Sequence, residues 1–248
     1  MHWIINKLRK IGVWLVLAVC GIASAQQCTL PAVPGTVLVC HTAYSVLYDV
    51  KLQDPRLVVY TLTGQHTLGC APRASGFHAE GDSAKPSQYS DSGFDLGHMS
   101  PAQDNAWDES VSKDSFSMIN VAPQLPGLNR QEWERLEEDV RAWALQRGKL
   151  FVYVGPIIAA HDKKINGVDV PQAFFKVVTD SKTGETLAFE IPNRAIPKGD
   201  VSPYLVSVQK VNQDTGLRIP GQAFNSKTVW PVDLAAWHAA HKSACGKE

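Results

Sequence analysis

The segment from Phe94 to Arg147 constrains the fold more than any other part of the chain, because two short extended runs lead into one long amphipathic one. Phe94 to Met99 is too short for a helix and runs into Pro101, which predicts a short strand and a turn. Ser115 to Val121 predicts a second strand. From Arg130 to Arg147, apolar residues recur at Trp133, Leu136, Val140 and Trp143/Ala144, the spacing of a single buried helix stripe. Asn129 and Glu132 match the N-cap and N3 positions of a capping box. Gly148 stands where a helix-ending glycine belongs. The segment is thus a strand, a long connection, a second strand and a helix.

The rest of the chain supplies a sheet for this unit. Extended runs are predicted at 37–41, 43–50, 57–62 and 149–158, and a strand–turn–strand at 173–191 around Ser181-Lys182-Thr183-Gly184. A short helix is expected at 203–212, with Pro203 at its first position, and a last helix at 234–240 behind Asp233. Strands and helices do not alternate regularly, which predicts an α+β fold with an antiparallel sheet. The stretch from Cys70 to Gly93, rich in Pro, Gly and Ser, is a long loop just before the Phe94 segment, where functional loops tend to lie.

The first 25 residues read as a secretory signal peptide: Lys7, Arg9 and Lys10, then the apolar run Ile11–Ala23, then Ala23-Ser24-Ala25 as a cleavage site. The expected mature chain, 26–248, is one domain located in the periplasm or outside the cell, with no stable membrane association. It keeps four cysteines, Cys28, Cys40, Cys70 and Cys245, an even number that in an exported chain predicts two disulfides in one of three connectivities. No Cys-x-x-Cys pair points to zinc. Without the leader the charge is 21 basic against 24 acidic residues, a net −3, so nucleic-acid contact needs a local basic patch rather than overall charge.

G-x-S-x-G, H-E-x-x-H, P-loop and G-x-G-x-x-G motifs are absent, which removes the marked hydrolase, zinc-protease and nucleotide-binding readings. What remains is imidazole with oxygen donors. His98 can serve as a general base, since free imidazole titrates near neutrality. Asn129 offers an amide oxygen to a hard cation that keeps most of its waters. Glu137 lies eight residues on, about 80° round an ideal helix, which suits an acceptor for metal-bound water better than a direct ligand. Asn120 and Gln124 are candidates for positioning His98 or those waters, and Arg73 for clamping a phosphate through its planar fork.

These residues fall into a known pattern. Asp95-Leu96-Gly97-His98-Met99-Ser100-Pro101-Ala102 resembles the D-R-G-H-x-x-P-A signature of the DNA/RNA non-specific endonucleases, built on the ββα-metal (His-Me) finger. Ser115-Phe116 through Asn120, Pro123-Gln124, Leu128-Asn129, Trp133 and Leu136-Glu137 are similar to that family's downstream segment, with its spacing kept. Arg73, Phe77 and Asp82 resemble its upstream R-x-x-x-F-x-x-D, and the likeness spans about 44–232. The resemblance implies a central antiparallel sheet flanked by helices, and metal-dependent cleavage of DNA and RNA with little sequence preference. It implies His98 as general base, Asn129 as protein ligand of one Mg²⁺ or Mn²⁺, and Asn120, Gln124 and Glu137 as support for the base and water shell. It implies Arg73 on the substrate phosphate, with Asp95 supporting the motif. Leu96 departs from the pattern, standing where the family carries Arg; Lys113 or Arg130 is the candidate to replace that charge. The departure motivates an alternative, a nucleic-acid-binding protein on a nuclease scaffold with reduced or lost turnover. A third reading is a phosphodiesterase acting on some other exported substrate. An exported nuclease that acts as a toxin would also imply an immunity or inhibitor protein.

Overall fold

The computed structural model describes residues 28–159, 163–221 and 227–246; the expected leader at 1–25 lies outside them. In chain order the elements are β1 (Thr36–Cys40), β2 (Tyr44–Asp49), β3 (Asp54–Thr63), β4 (Asp95–His98), α1 (Glu109–Asp114), β5 (Val121–Gln124), α2 (Pro126–Leu128), α3 (Glu134–Arg147), β6 (Lys149–Ile157), β7 (Lys164–Ile165), β8 (Val168–Asp169), β9 (Ala173–Asp180), β10 (Thr186–Pro192), β11 (Leu205–Val206), α4 (Val208–Thr215) and α5 (Leu234–Ala244). Seven strands form one sheet in the order β1-β2-β3-β6-β9-β10-β11, and every neighbouring pair is antiparallel. The fold is α+β, as the mixed element order predicts. No helix of the described residues is long and apolar enough to cross a membrane.

The period-2 alternation of the central strands divides the core in two. Leu150, Val152 and Val154 of β6 and Phe174 and Val178 of β9 pack with Trp133, Leu136, Val140 and Trp143 of the helical run. Phe175 and Val177 turn the other way and pack with Val208 and Val211 of α4. Helices therefore cover both faces of the sheet. Trp143, fully buried, is boxed by Phe189 and Trp230 at centroid distances of 6.2 and 5.5 Å. Two disulfides are present, Cys28–Cys40 and Cys70–Cys245, and the second ties α5 to a loop 175 residues earlier.

Three expectations need correcting. The second strand of the Phe94 unit begins at Val121 rather than Ser115: Ser117 caps a 3₁₀ turn, Met118–Asn120, and its own segment bridges to His78 instead. The predicted helix at 203–212 is a 3₁₀ turn followed by β11, because Leu205 and Val206 pair with β10. The helix proper, α4, starts behind Ser207, whose hydroxyl accepts from the Lys210 amide. Finally, Asn129 is no N-cap. The helical run starts at Pro126, behind Leu125, and Asn129 has helical dihedrals (φ −53°, ψ −45°) at the head of a π-helical turn, Asn129–Trp133. Glu132, the expected partner in a capping box, instead accepts from the Gly199 amide at 2.7 Å. At the far end, Gly148 does close the helix, at φ +90°.

Candidate active site

β4 and β5 pair antiparallel, Asp95 opposite Gln124 and His98 opposite Val121, and α2 and α3 follow directly. The long connection is held by Asn120. Its side chain is fully buried; Oδ1 accepts from the Ser100 amide at 2.8 Å, and Nδ2 donates to Ser100 and Ser115 carbonyls, both at 2.9 Å. Every hydrogen-bonding atom of that amide is thus spent on backbone. Asn120 braces the turn after His98 and does not reach the cavity.

The cavity, about 610 Å³, is lined by Arg73, Leu96, His98, Asn129, Arg130 and Glu137, with Asp95, Glu134, Arg141 and Trp237 completing its charged and aromatic walls. Of the candidates from sequence, Asn120, Gln124 and Lys113 stand outside it, which leaves Arg130 as the nearby replacement for the missing charge. Gln124 is fully buried, with neither amide atom partnered among the described residues, and it packs against Gly97 so closely that a Cβ there would overlap its amide. Gly97 is required by this approach.

His98 is held by aromatic rings: Phe77 and Phe116 each lie 4.9 Å from its centroid. Nε2 is buried without a hydrogen-bond partner among the described residues, so Nδ1 is the nitrogen left to meet the cavity. Burial, and then the positive charge of Arg73, push its pKa down to about 3, which keeps the ring unprotonated at ordinary pH. Arg73 itself is exposed, its guanidinium 5.0 Å from the Phe116 centroid.

Asn129 Nδ2 donates to Asp95 Oδ2 at 2.9 Å. The same carboxylate takes a two-point grip from Arg130, Nε at 2.8 Å and a terminal nitrogen at 2.6 Å. With the amide nitrogen turned to Asp95, the Asn129 carbonyl oxygen is the atom free to accept or to ligate. Glu137 shares the cavity because of the π turn. An extra residue in one turn sets the helix back by about 100°, so a spacing that would put Glu137 about 80° away instead returns it to within about 20° of Asn129. Burial raises the Glu137 pKa to about 7, opposed by Lys176 and Arg141.

The donor set fits a hard divalent cation. It offers an oriented amide oxygen and a nearby carboxylate, and among the described residues no cluster of three His, Cys, Asp or Glu side chains makes a full cage. The profile of the DNA/RNA non-specific endonuclease family matches residues 25–223. The chain belongs to this family. Mitochondrial endonuclease G of Bos taurus is 29% identical over 207 residues, spanning 74% of this chain and 69% of the relative. A nuclease of Nostoc sp. is 29% identical over 201 residues, spanning 74% and 73%. The crystal structure of an EndoG/EndoGI complex, described as showing the mechanism of EndoG inhibition, aligns with a TM-score of 0.67 at 25% identity, covering 73% of this chain and 84% of that one. Against this family background, two cavity residues and one residue behind the wall stand outside the sequence candidates. Lys176 underlies Glu137 at 3.8 Å, and its signal is a lone charge inside the apolar run Phe174-Phe175-Lys176-Val177-Val178. Arg141 is tied to Asp104, and Trp237 comes from α5, beyond the family match. Neither carries a sequence signal that separates it from core.

Proposed function

We propose that this endonuclease is exported and metal-dependent, cleaving DNA and RNA with little sequence preference, with His98 as general base and Asn129 as the protein ligand of one Mg²⁺ or Mn²⁺. The single observation that carries the reading is the pairing of a neutral, buried-edged imidazole with an amide oxygen turned outward by Asp95, on one cavity. His98 Nδ1 takes the proton of the water that attacks phosphorus. The phenyl walls hold the ring in place, so no reorientation is needed during the step. Arg73, exposed at the cavity edge, and Arg130 are the groups for the non-bridging phosphate oxygens; Asp95 already fixes the Arg130 head group. Glu137 accepts hydrogen bonds from water at the cavity floor. The bound cation supplies charge neutralisation at the phosphate and the leaving oxygen.

The leader at 1–25 and the two disulfides support export to the periplasm or beyond. The inhibited relative supports an inhibitor or immunity protein as a partner. The test is incubation of the mature protein with plasmid and RNA, in Mg²⁺ and in EDTA, beside His98→Ala. Metal-dependent cleavage abolished by the substitution is expected. Cleavage unaffected by EDTA, or an active His98→Ala, defeats the reading. Leu96 favours a second one, binding without turnover: it places an apolar side chain on the cavity wall, packed against the same buried cluster as Phe77 and Phe94. Salt-sensitive binding with no cleavage would select it.

A further inference from the structure

Lys176 occupies the middle of β9, between Lys-free apolar neighbours, on the face that carries Phe174 and Val178 toward the helices. It is fully buried, and its ammonium has no hydrogen-bond partner among the described residues. An apolar side chain would fill that position with no charge to desolvate. Two groups compensate the charge. Nζ stands over the face of Trp133, 4.5 Å from its centroid, and lies 3.8 Å from Glu137 Oε1. Both belong to the helical run that builds the cavity.

Glu137 is faced by several other titratable groups. Arg141 and Glu134 come from its own helix, Asp104 from the 3₁₀ turn Gln103–Asn105, and Tyr60 from β3. Arg141 is engaged by Asp104 at 3.1 Å, and Asp104 accepts the Tyr60 hydroxyl at 3.0 Å, while burial holds that phenol protonated. Asp104 and Glu134 oppose ionisation of Glu137. Two cations favour it, Lys176 first and then Arg141, which Asp104 also engages.

We propose that Lys176 is a positioning residue for cleavage: its ammonium, seated on Trp133, keeps Glu137 in its carboxylate form at the cavity floor, so that the acid can accept hydrogen bonds there. This rests on the reading of Glu137 as an acceptor in the water shell. Burial draws the lysine pKa down and the carboxylate draws it back up, so each partner holds the other charged.

The experiment compares the full mature chain with Lys176→Met, Glu137→Gln and the double variant, in plasmid-cleavage pH profiles at saturating Mg²⁺, with melting curves alongside. Loss of an opposite charge at this range is worth about one pH unit or more. The acid limb of Lys176→Met should therefore move up by that much, with a roughly tenfold loss at pH 7 largely recovered by pH 9 and KM for DNA unchanged. The double variant should cleave no more slowly than Glu137→Gln alone. A folded Lys176→Met with the parent profile overturns the proposal, as does an independent further loss in the double variant. If Lys176→Met does not fold, the double variant, free of both charges, decides alone: parity with Glu137→Gln supports the proposal, and a further tenfold loss overturns it. A parent protein that cleaves nothing in Mg²⁺ overturns the functional reading first, and this inference with it.

Discussion

The amide nitrogen of Asn129 and Oδ2 of Asp95 are 2.9 Å apart, one on the helical run and the other on β4, so the strand that carries the proposed base also aims the proposed ligand. Asp95→Ala releases the amide and Arg130 together. Loss of a group that orients a metal ligand typically costs about 10- to 100-fold in affinity. The Mg²⁺ concentration at half-maximal cleavage should rise by about that factor, with most of the maximal rate returning at high metal. An unchanged Mg²⁺ titration would show that Asn129 needs no such aim.

His98 gives a pH signature in stability. Its pKa in the folded state is about 3, against about 6.5 when unfolded, so the unfolded chain takes up a proton that the native one refuses. Stability is then full above about pH 6.5 and falls as pH drops toward 3. His98→Asn should shrink the difference in unfolding free energy between pH 8 and pH 5 by about 1–2 kcal/mol. Urea denaturation at both pH values measures it. The same substitution should slow cleavage by about 10²- to 10⁴-fold, the usual worth of a general base.

Leu96→Arg restores the charge that the family pattern carries. Leu96 lines the cavity beside Phe77, so a guanidinium at this position can reach a bound phosphate. A charge-assisted contact of about 1.5–3 kcal/mol corresponds to roughly 10- to 100-fold in kcat/KM at low salt. The gain should shrink with added salt, as a phosphate contact requires. A variant with parent kcat/KM at every ionic strength would place Leu96 outside the substrate's reach.

Gly97→Ala tests the strand pair itself. The new methyl group would overlap the Gln124 amide, which is buried and has nowhere to turn. Overpacking of this kind costs about 1–3 kcal/mol. Gln124→Ala in the same chain should return most of it, a coupling that unfolding midpoints of the single and double variants would reveal.

Where the chain repeats a simple period, sequence and structure agree. The stripe Trp133, Leu136, Val140 and Trp143 faces the sheet as its spacing predicts, and Gly148 stops the helix. The strands of β3, β6, β9 and β10 lie within a few residues of their expected bounds, because alternation and turn residues mark both ends. His98, Asn129, Glu137 and Arg73 do share a cavity, as their pattern implied. The misses have physical causes. Asn129 has a capping side chain, so local preference suggested a cap, but its partner is Asp95, 34 residues earlier, and no local rule can see that. The π turn leaves no mark in an apolar pattern whose stripe runs on through it. Asn120 braces the turn after His98 through three backbone bonds, one of the two positioning roles its sequence place allowed. Trp237 meets the cavity, and Lys176 meets Glu137, only through tertiary packing.

The π turn between Asn129 and Trp133 makes helix phase a chemical variable. Deleting one residue there would give a more regular helix and leave the amide and the carboxylate, then seven residues apart, still within about 20° of each other. Winding the present length as a regular helix would instead move the amide and the carboxylate from about 20° to about 80° apart. A substitution adjusts this site atom by atom. A change in the winding of this turn would separate the two groups while every proposed participant remained in the sequence.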